Sequence, residues 1–147
     1  TESHCGCGFP RCSGEVGFML NLLLSGLYRY YLITKNKKIK NAIIDGVNWL
    51  IENTFDPISN HFRYTSCLNR TLGGNFQKTQ EVIECIAFGY NLSKCRKIKH
   101  FLDISNNSVG LYPNNLDHLG LGKALAQQMR YVPFIMPILK NMYKKQN

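Results

Sequence analysis

The chain has 147 residues, of which 44% are hydrophobic and 18% charged; this is a one-domain length with enough apolar content for a core, which excludes a disordered chain. No apolar run reaches the roughly 18 residues of a membrane span, so no membrane partner is expected. Net charge is +9, from 18 Lys+Arg against 9 Asp+Glu, which keeps an anionic partner such as nucleic acid in view until the basic residues are placed.

Residues 1–14, TESHCGCGFPRCSG, form a Gly/Cys-rich lead without a period. A helix is predicted to open near Ser13, with Glu15 favouring its positive N-terminal end. Its apolar positions, among them Met19, Leu20, Leu23, Leu24, Leu27 and Tyr30, recur at three- and four-residue steps and predict one wide buried face. The helix stops around Thr34-Lys-Asn. A second helix is expected from about Lys37 to Asn53, where Ile39, Ile43, Val47, Leu50 and Ile51 keep the same spacing.

The character changes at 55–67. Asp56-Pro57 and Ser59-Asn60 are turn signals, and Phe62, Tyr64 and Thr65 suit a short strand, so this stretch is expected to be an extended loop or small β-hairpin. Helical patterns resume at about Gln77–Leu92 and Lys94–Ile104. A polar loop at 105–117 follows, then a fifth helix over Leu119–Arg130 and a sixth starting near Pro133, with Pro137 expected to bend it.

An internal repeat organises the helices. Placing Gly26–Ile44 over Cys85–Asp103, an offset of 59 residues, sets Tyr31 on Tyr90, Lys35 on Lys94, and Lys38-Ile-Lys40 on Lys97-Ile-Lys99. The shared unit is an apolar helix ending in an aromatic, a tight Thr/Ser-Lys turn and a second helix with a basic start. One such αα-hairpin cannot bury its own face, so stacked copies must supply the core. The basic tracts then recur because the hairpin recurs. No aromatic–basic interleaving or helix-turn-helix pattern accompanies them, so a solvated basic face is read in preference to a nucleic-acid site.

The pattern Gly17-x-Met19-x(3)-Leu23-Leu-x-Gly26-Leu-x-x-Tyr30-Tyr31-x-x-Thr34, followed by Ala42-Ile-x-x-Gly46-x-x-Trp49-Leu50, resembles the hairpins of (α/α)-toroid, six-hairpin glycosidase-like proteins. Gly122-Lys-Ala-x-Ala-Gln-x-Met-Arg130-Tyr-x-Pro133 looks like a terminal hairpin of the same kind. The resemblance implies an all-α fold: repeated antiparallel hairpins forming an incomplete toroid across 1–147 as a single domain. It covers about the C-terminal half of a full toroid. A fragment lacking N-terminal hairpins and a short arc that self-associates are both consistent with it. The chain opens at Thr1 without an initiator Met or a signal-peptide pattern, so it is read as processed or cut from something longer.

The resemblance implies a carbohydrate-active or carbohydrate-binding protein with a saccharide ligand; the rival reading is a non-catalytic helical-repeat module that binds a protein partner. Glycoside hydrolysis generally uses two carboxylates. The candidates are Glu15, Asp56 and Asp117, with Glu81 at the start of the third helix. Each also has a structural reading: Glu15 as a first-turn charge, Asp56 as an Asp-Pro turn former, Asp117 as a helix N-cap. Ligand contact is assigned to His61, Arg63 and Tyr64 in the insert, and to Arg130 and Tyr131, against local packing or, for Arg130, capping of a helix C-terminus.

Six cysteines are present. His4, Cys5, Cys7 and Cys12 are residue types that zinc prefers, but no second Cys/His pair lies downstream, and a packed lead or a Cys5–Cys12 disulfide competes with a metal. Cys85, among Val82, Ile83, Ile86 and Phe88, reads as a buried free thiol. The irregular cysteine spacing favours a reducing, cytoplasmic setting. Nothing in the chain calls for a cofactor.

Overall fold

The computed structural model describes residues 14–67, 79–107 and 118–144. Among them are five helices and one two-stranded sheet: α1 (Gly17–Thr34), α2 (Lys37–Thr54), β1 (Phe55–Asp56), β2 (His61–Phe62), α3 (Thr79–Ser93), α4 (Arg96–Asn107) and α5 (His118–Lys144). The protein is thus mostly helical, with a small antiparallel insert where the turn signals place it.

The repeat governs the backbone in detail. α1 and α3 end at Thr34 and Ser93, and α2 and α4 begin at Lys37 and Arg96, so both hairpins turn at the same register. Each turn puts a lysine in the left-handed region, Lys35 at φ 53° and Lys94 at φ 56°. The Lys35 amide donates to the Tyr31 carbonyl and the Lys94 amide to the Tyr90 carbonyl, both at 2.8 Å, which closes an exposed carbonyl at each helix end. The hydroxyls at the ends of the first helices act alike: Thr34 Oγ1 accepts from the Asn36 amide and Ser93 Oγ from the Cys95 amide. The lysine ammoniums lie over the same tyrosine rings, at 5.5 and 5.4 Å. These two basic turns are therefore helix-end devices of the hairpin. Because Lys94 is spent on the turn, α4 starts at Arg96 and not at Lys94 as the pattern suggests.

α3 is the central element and packs on α1, α2, α4 and α5. The sequence explains its place: Val82–Phe88 is buried on every side, so this helix needs neighbours all round. Close approach is made at Gly89, where an added Cβ would lie 2.9 Å from both γ carbons of Val47. Farther along the interface, Tyr28 of α1 stacks on Phe88 at 3.9 Å, and Asn91 Nδ2 donates to the Tyr28 hydroxyl.

The insert is anchored rather than dangling. β1 pairs with β2 in the register Phe55 to Phe62 and Asp56 to His61. Phe62 is fully buried, and the Phe55, Phe62 and Phe101 rings sit 4.8–6.2 Å apart in edge-on contacts that tie the insert to α4.

Three further expectations need correction. α1 begins at Gly17 with Val16 as N-cap, and the residues before it pair with the insert: Val16 bridges Thr65, and the Gly17 amide donates to the Tyr64 carbonyl. Glu15 therefore precedes the helix instead of sitting in its first turn. The separate fifth and sixth helices are one helix, α5, which runs through Pro133 and Pro137. Both prolines are exposed, so the main-chain bonds they forgo lie on the side where water can satisfy the carbonyls. Finally, the face that α1 buries is not the one expected in full: Leu20, Leu27 and Tyr31 pack on the core as expected, together with Gly17, Asn21 and Ser25. Leu24 and Tyr28 are in the core, but Met19, Leu23 and Tyr30 stand 57%, 59% and 54% exposed.

Candidate functional site

The insert brings several of the predicted residues to one end of the hairpins. The Ser66 amide donates to the Glu15 carbonyl, and the Glu15 amide to Ser66 Oγ, so Glu15 is held by its backbone while its side chain is exposed. Asp56 is buried, accepting from the Ile58 amide through Oδ1 and from Ser59 Oγ through Oδ2. That is the geometry of a side chain holding a turn, which Asn60 completes at φ 57°. His61 is half-buried opposite Asp56 in the sheet.

Arg63 is committed to the fold at two points. Its amide donates to the Thr54 carbonyl, and its guanidinium Nη2 donates to the Asn53 carbonyl at 2.6 Å, so it closes the C-terminal end of α2. Tyr64 packs its ring 5.7 Å from Phe18. Arg130 is exposed with its guanidinium 5.6 Å over the Tyr131 ring, while Tyr131 is buried. Since α5 continues to Lys144, Arg130 is mid-helix and cannot cap a C-terminus. Asp117, His4, Cys5, Cys7 and Cys12 lie outside the described residues, as does the side chain of Glu81. Among the described residues no group of three or more His, Cys, Asp or Glu side chains converges as a metal site would require, and no helix is long and apolar enough to cross a membrane.

A carboxyl group that the sequence reading passed over sits at the α1–α3 interface. Glu84 is 1% exposed, and Ser25 Oγ donates to its Oε2 at 2.7 Å. Its Oε1 has no hydrogen-bond partner among the described residues and lies 3.6 Å from the guanidinium of Arg29, which in turn covers the Phe134 ring at 4.5 Å. One turn along α1, Asn21 Oδ1 accepts from the Cys85 amide at 2.8 Å. Burial pushes the Cys85 thiol well above its ordinary range, and the neighbouring Glu84 adds to that, so this sulfur stays protonated and unreactive. A carboxyl this enclosed, with a hydroxyl and an arginine from the facing helix, works as an interhelical clamp. Its signal was a glutamate inside the otherwise apolar run Val82–Phe88.

Among the described residues, one exposed apolar surface without a role in the fold is the outer face of α1. Met19, Leu23, Gly26, Tyr30 and Ile33 succeed one another at steps of four, three, four and three residues, which lines them along one side of the helix. Ile33 is 83% exposed, and an added Cβ on Gly26 would meet nothing within 4 Å. Together these side chains expose an apolar strip on the order of 500 Å², within the range of the largest apolar patch on a typical monomer, which is often functional.

The equivalents of Leu23, Gly26 and Tyr30 in α3 are Val82, Cys85 and Gly89, all buried. They are covered by the first hairpin: Val82 lies by Gly17, Cys85 by Asn21 and Gly89 by Val47. The strip on α1 therefore matches the face through which the second hairpin docks on the first. Comparison of the chain with protein-family models, with curated proteins and with solved structures gives no match.

Proposed function

We propose that this chain is a non-catalytic helical-repeat module that docks a helical protein element along the outer face of α1. One observation carries the reading: positions that are buried between hairpins in the second repeat are exposed in the first. The energetics agree, since an exposed strip of Met, Leu, Tyr and Ile gains far more from burial against an apolar partner than from contact with water. Alternating steps of three and four suit a helix as the occupant, because knobs from a second helix fit that spacing.

The carbohydrate reading draws on the resemblance of the hairpins to toroid repeats, with this chain as an arc of such a ring. It rests on the composition of the 61–67 loop, where Arg63 and Tyr64 have structural employment. The docking reading is preferred because it accounts for an exposed feature that packing leaves unused.

The test is a photo-crosslinking residue placed at Leu23, compared with the same residue at Lys38, which is also exposed. The expected result is a covalent adduct from position 23 that maps to a helical segment and disappears when Ile33→Asp is added. Equal labelling from both positions, or none, would overturn the reading. Glycan binding that Tyr64→Ala abolishes would replace it with the carbohydrate reading.

A further inference from the structure

We infer that the occupant of the α1 strip is α1 of a second copy of this chain, packed antiparallel about Gly26. The inference rests on the docking reading above and goes further by naming the partner and its geometry.

The strip is its own complement. Centred on Gly26, an antiparallel pairing sets Met19 opposite Ile33 of the partner subunit and brings Leu23 within one residue of the level of Tyr30 of the partner subunit. Gly26 then meets its own counterpart on the two-fold axis. Each large side chain faces another apolar one, and the two smallest residues meet where the helix axes cross, which is the arrangement a self-associating two-fold interface needs. The open space over Gly26 allows the two backbones to approach there.

Charge selects the antiparallel direction. Arg29 is the single charged residue in α1, and its guanidinium is turned toward Glu84 and Phe134. The basic turn Lys35–Lys40 follows the C-terminal end of α1. A parallel pairing would bring two such turns together. With a helix of 18 residues, the antiparallel pairing holds them about 27 Å apart, some three Debye lengths at physiological salt. The helix dipoles are opposed in the same arrangement and favour it.

Two strips buried against each other remove on the order of 1,000 Å², the lower limit for a specific interface, so a reversible, concentration-dependent dimer is expected. Sedimentation velocity over a concentration series reads this directly, with far-UV circular dichroism as the check on folding. The wild type should shift from monomer to dimer. Leu23→Asp and Ile33→Asp, both at exposed positions, should keep native helicity and weaken association at least tenfold. In a background where Cys5, Cys7, Cys12, Cys67 and Cys95 are all serine and only buried Cys85 remains, Gly26→Cys should form a self-crosslink under mild oxidation, and Lys38→Cys should not.

A wild type that remains monomeric throughout overturns the inference, as does a dimer indifferent to Leu23→Asp, or crosslinking at Lys38→Cys instead of Gly26→Cys. A monomer whose position-23 photo-probe still maps to a helix of a different protein removes the second copy while leaving the docking face standing. A monomer with no adduct removes both.

Discussion

Glycine-to-alanine substitution at three helical positions should give three different signs, because the space over each glycine differs. In a helix interior, alanine is favoured over glycine by about 1 kcal/mol through backbone entropy alone. At Gly26 nothing lies within 4 Å of the new methyl, so Gly26→Ala should raise the stability of the monomer by about that amount. At Gly89 the methyl would meet Val47 Cγ1 and Cγ2 at 2.9 Å and Cβ at 3.1 Å. Val47 is fully buried and, being β-branched, has no low-energy rotamer into which to retreat. Overpacking of this kind costs about 1–3 kcal/mol, so after the helical gain Gly89→Ala should lose about 1 kcal/mol. Gly46→Ala is intermediate: its methyl would meet Leu24 Cδ2 at 2.8 Å, but a leucine tip can turn aside, and the net change should fall near zero. Urea unfolding of dilute protein followed by circular dichroism measures all three. A Gly89→Ala protein as stable as Gly26→Ala would refute the packing argument. So would a Gly89→Ala/Val47→Ala double variant whose losses simply add, since relief of the clash should make it less damaged than the sum.

Two other outcomes follow from single groups. Lys35→Gly and Lys94→Gly should each stabilise by about 0.5–1 kcal/mol, because both lysines pay for a left-handed conformation that glycine adopts freely while the capping amide is retained. Thermal melts check this, and a decrease at either site would show that the lysine ammonium over the tyrosine ring outweighs the backbone strain. Cys85 makes stability depend on alkaline pH: its folded-state pKa is raised above the ordinary 9.0, so the native state holds the proton that the unfolded chain releases. That contribution is complete below pH 9 and should be lost as pH rises above it, by up to about 1.4 kcal/mol per pH unit. Denaturant titrations at stepped pH should show the wild type falling more steeply than Cys85→Ala above pH 9, and parallel curves would refute it.

Much of the architecture could be read from local chemistry. The three- and four-residue apolar steps define helices, and the recurrence of Thr/Ser-Lys after an aromatic marks two equivalent turns. The Asp56-Pro57 and Ser59-Asn60 pairs mark the insert. These signals are local because a turn or a helix depends on residues within about one helical repeat of one another. The start of α1 was misplaced because its position depends on pairing between Val16 and Thr65, which are distant in the chain. The break before Pro133 was misplaced because proline tolerance depends on which side of α5 meets solvent, a property of packing.

Roles that depend on a neighbour were less legible. Arg63 looks like a ligand-binding arginine in sequence, and only the fold places the Asn53 carbonyl beside its guanidinium. Glu84 looks like a surface charge out of place until Ser25 and Arg29 are brought to it from the facing helix. The apolar residues of α1 show the limit most clearly. By itself the sequence determined that α1 carries apolar residues at three- and four-residue steps, as one wide face, and that it opens the first of two equivalent hairpins. Which of those residues its own chain covers was decided by the tertiary structure, because burial is a relation between surfaces. Leu24 and Tyr28 meet α2 and α3, while Met19, Leu23, Tyr30 and Ile33 stand exposed.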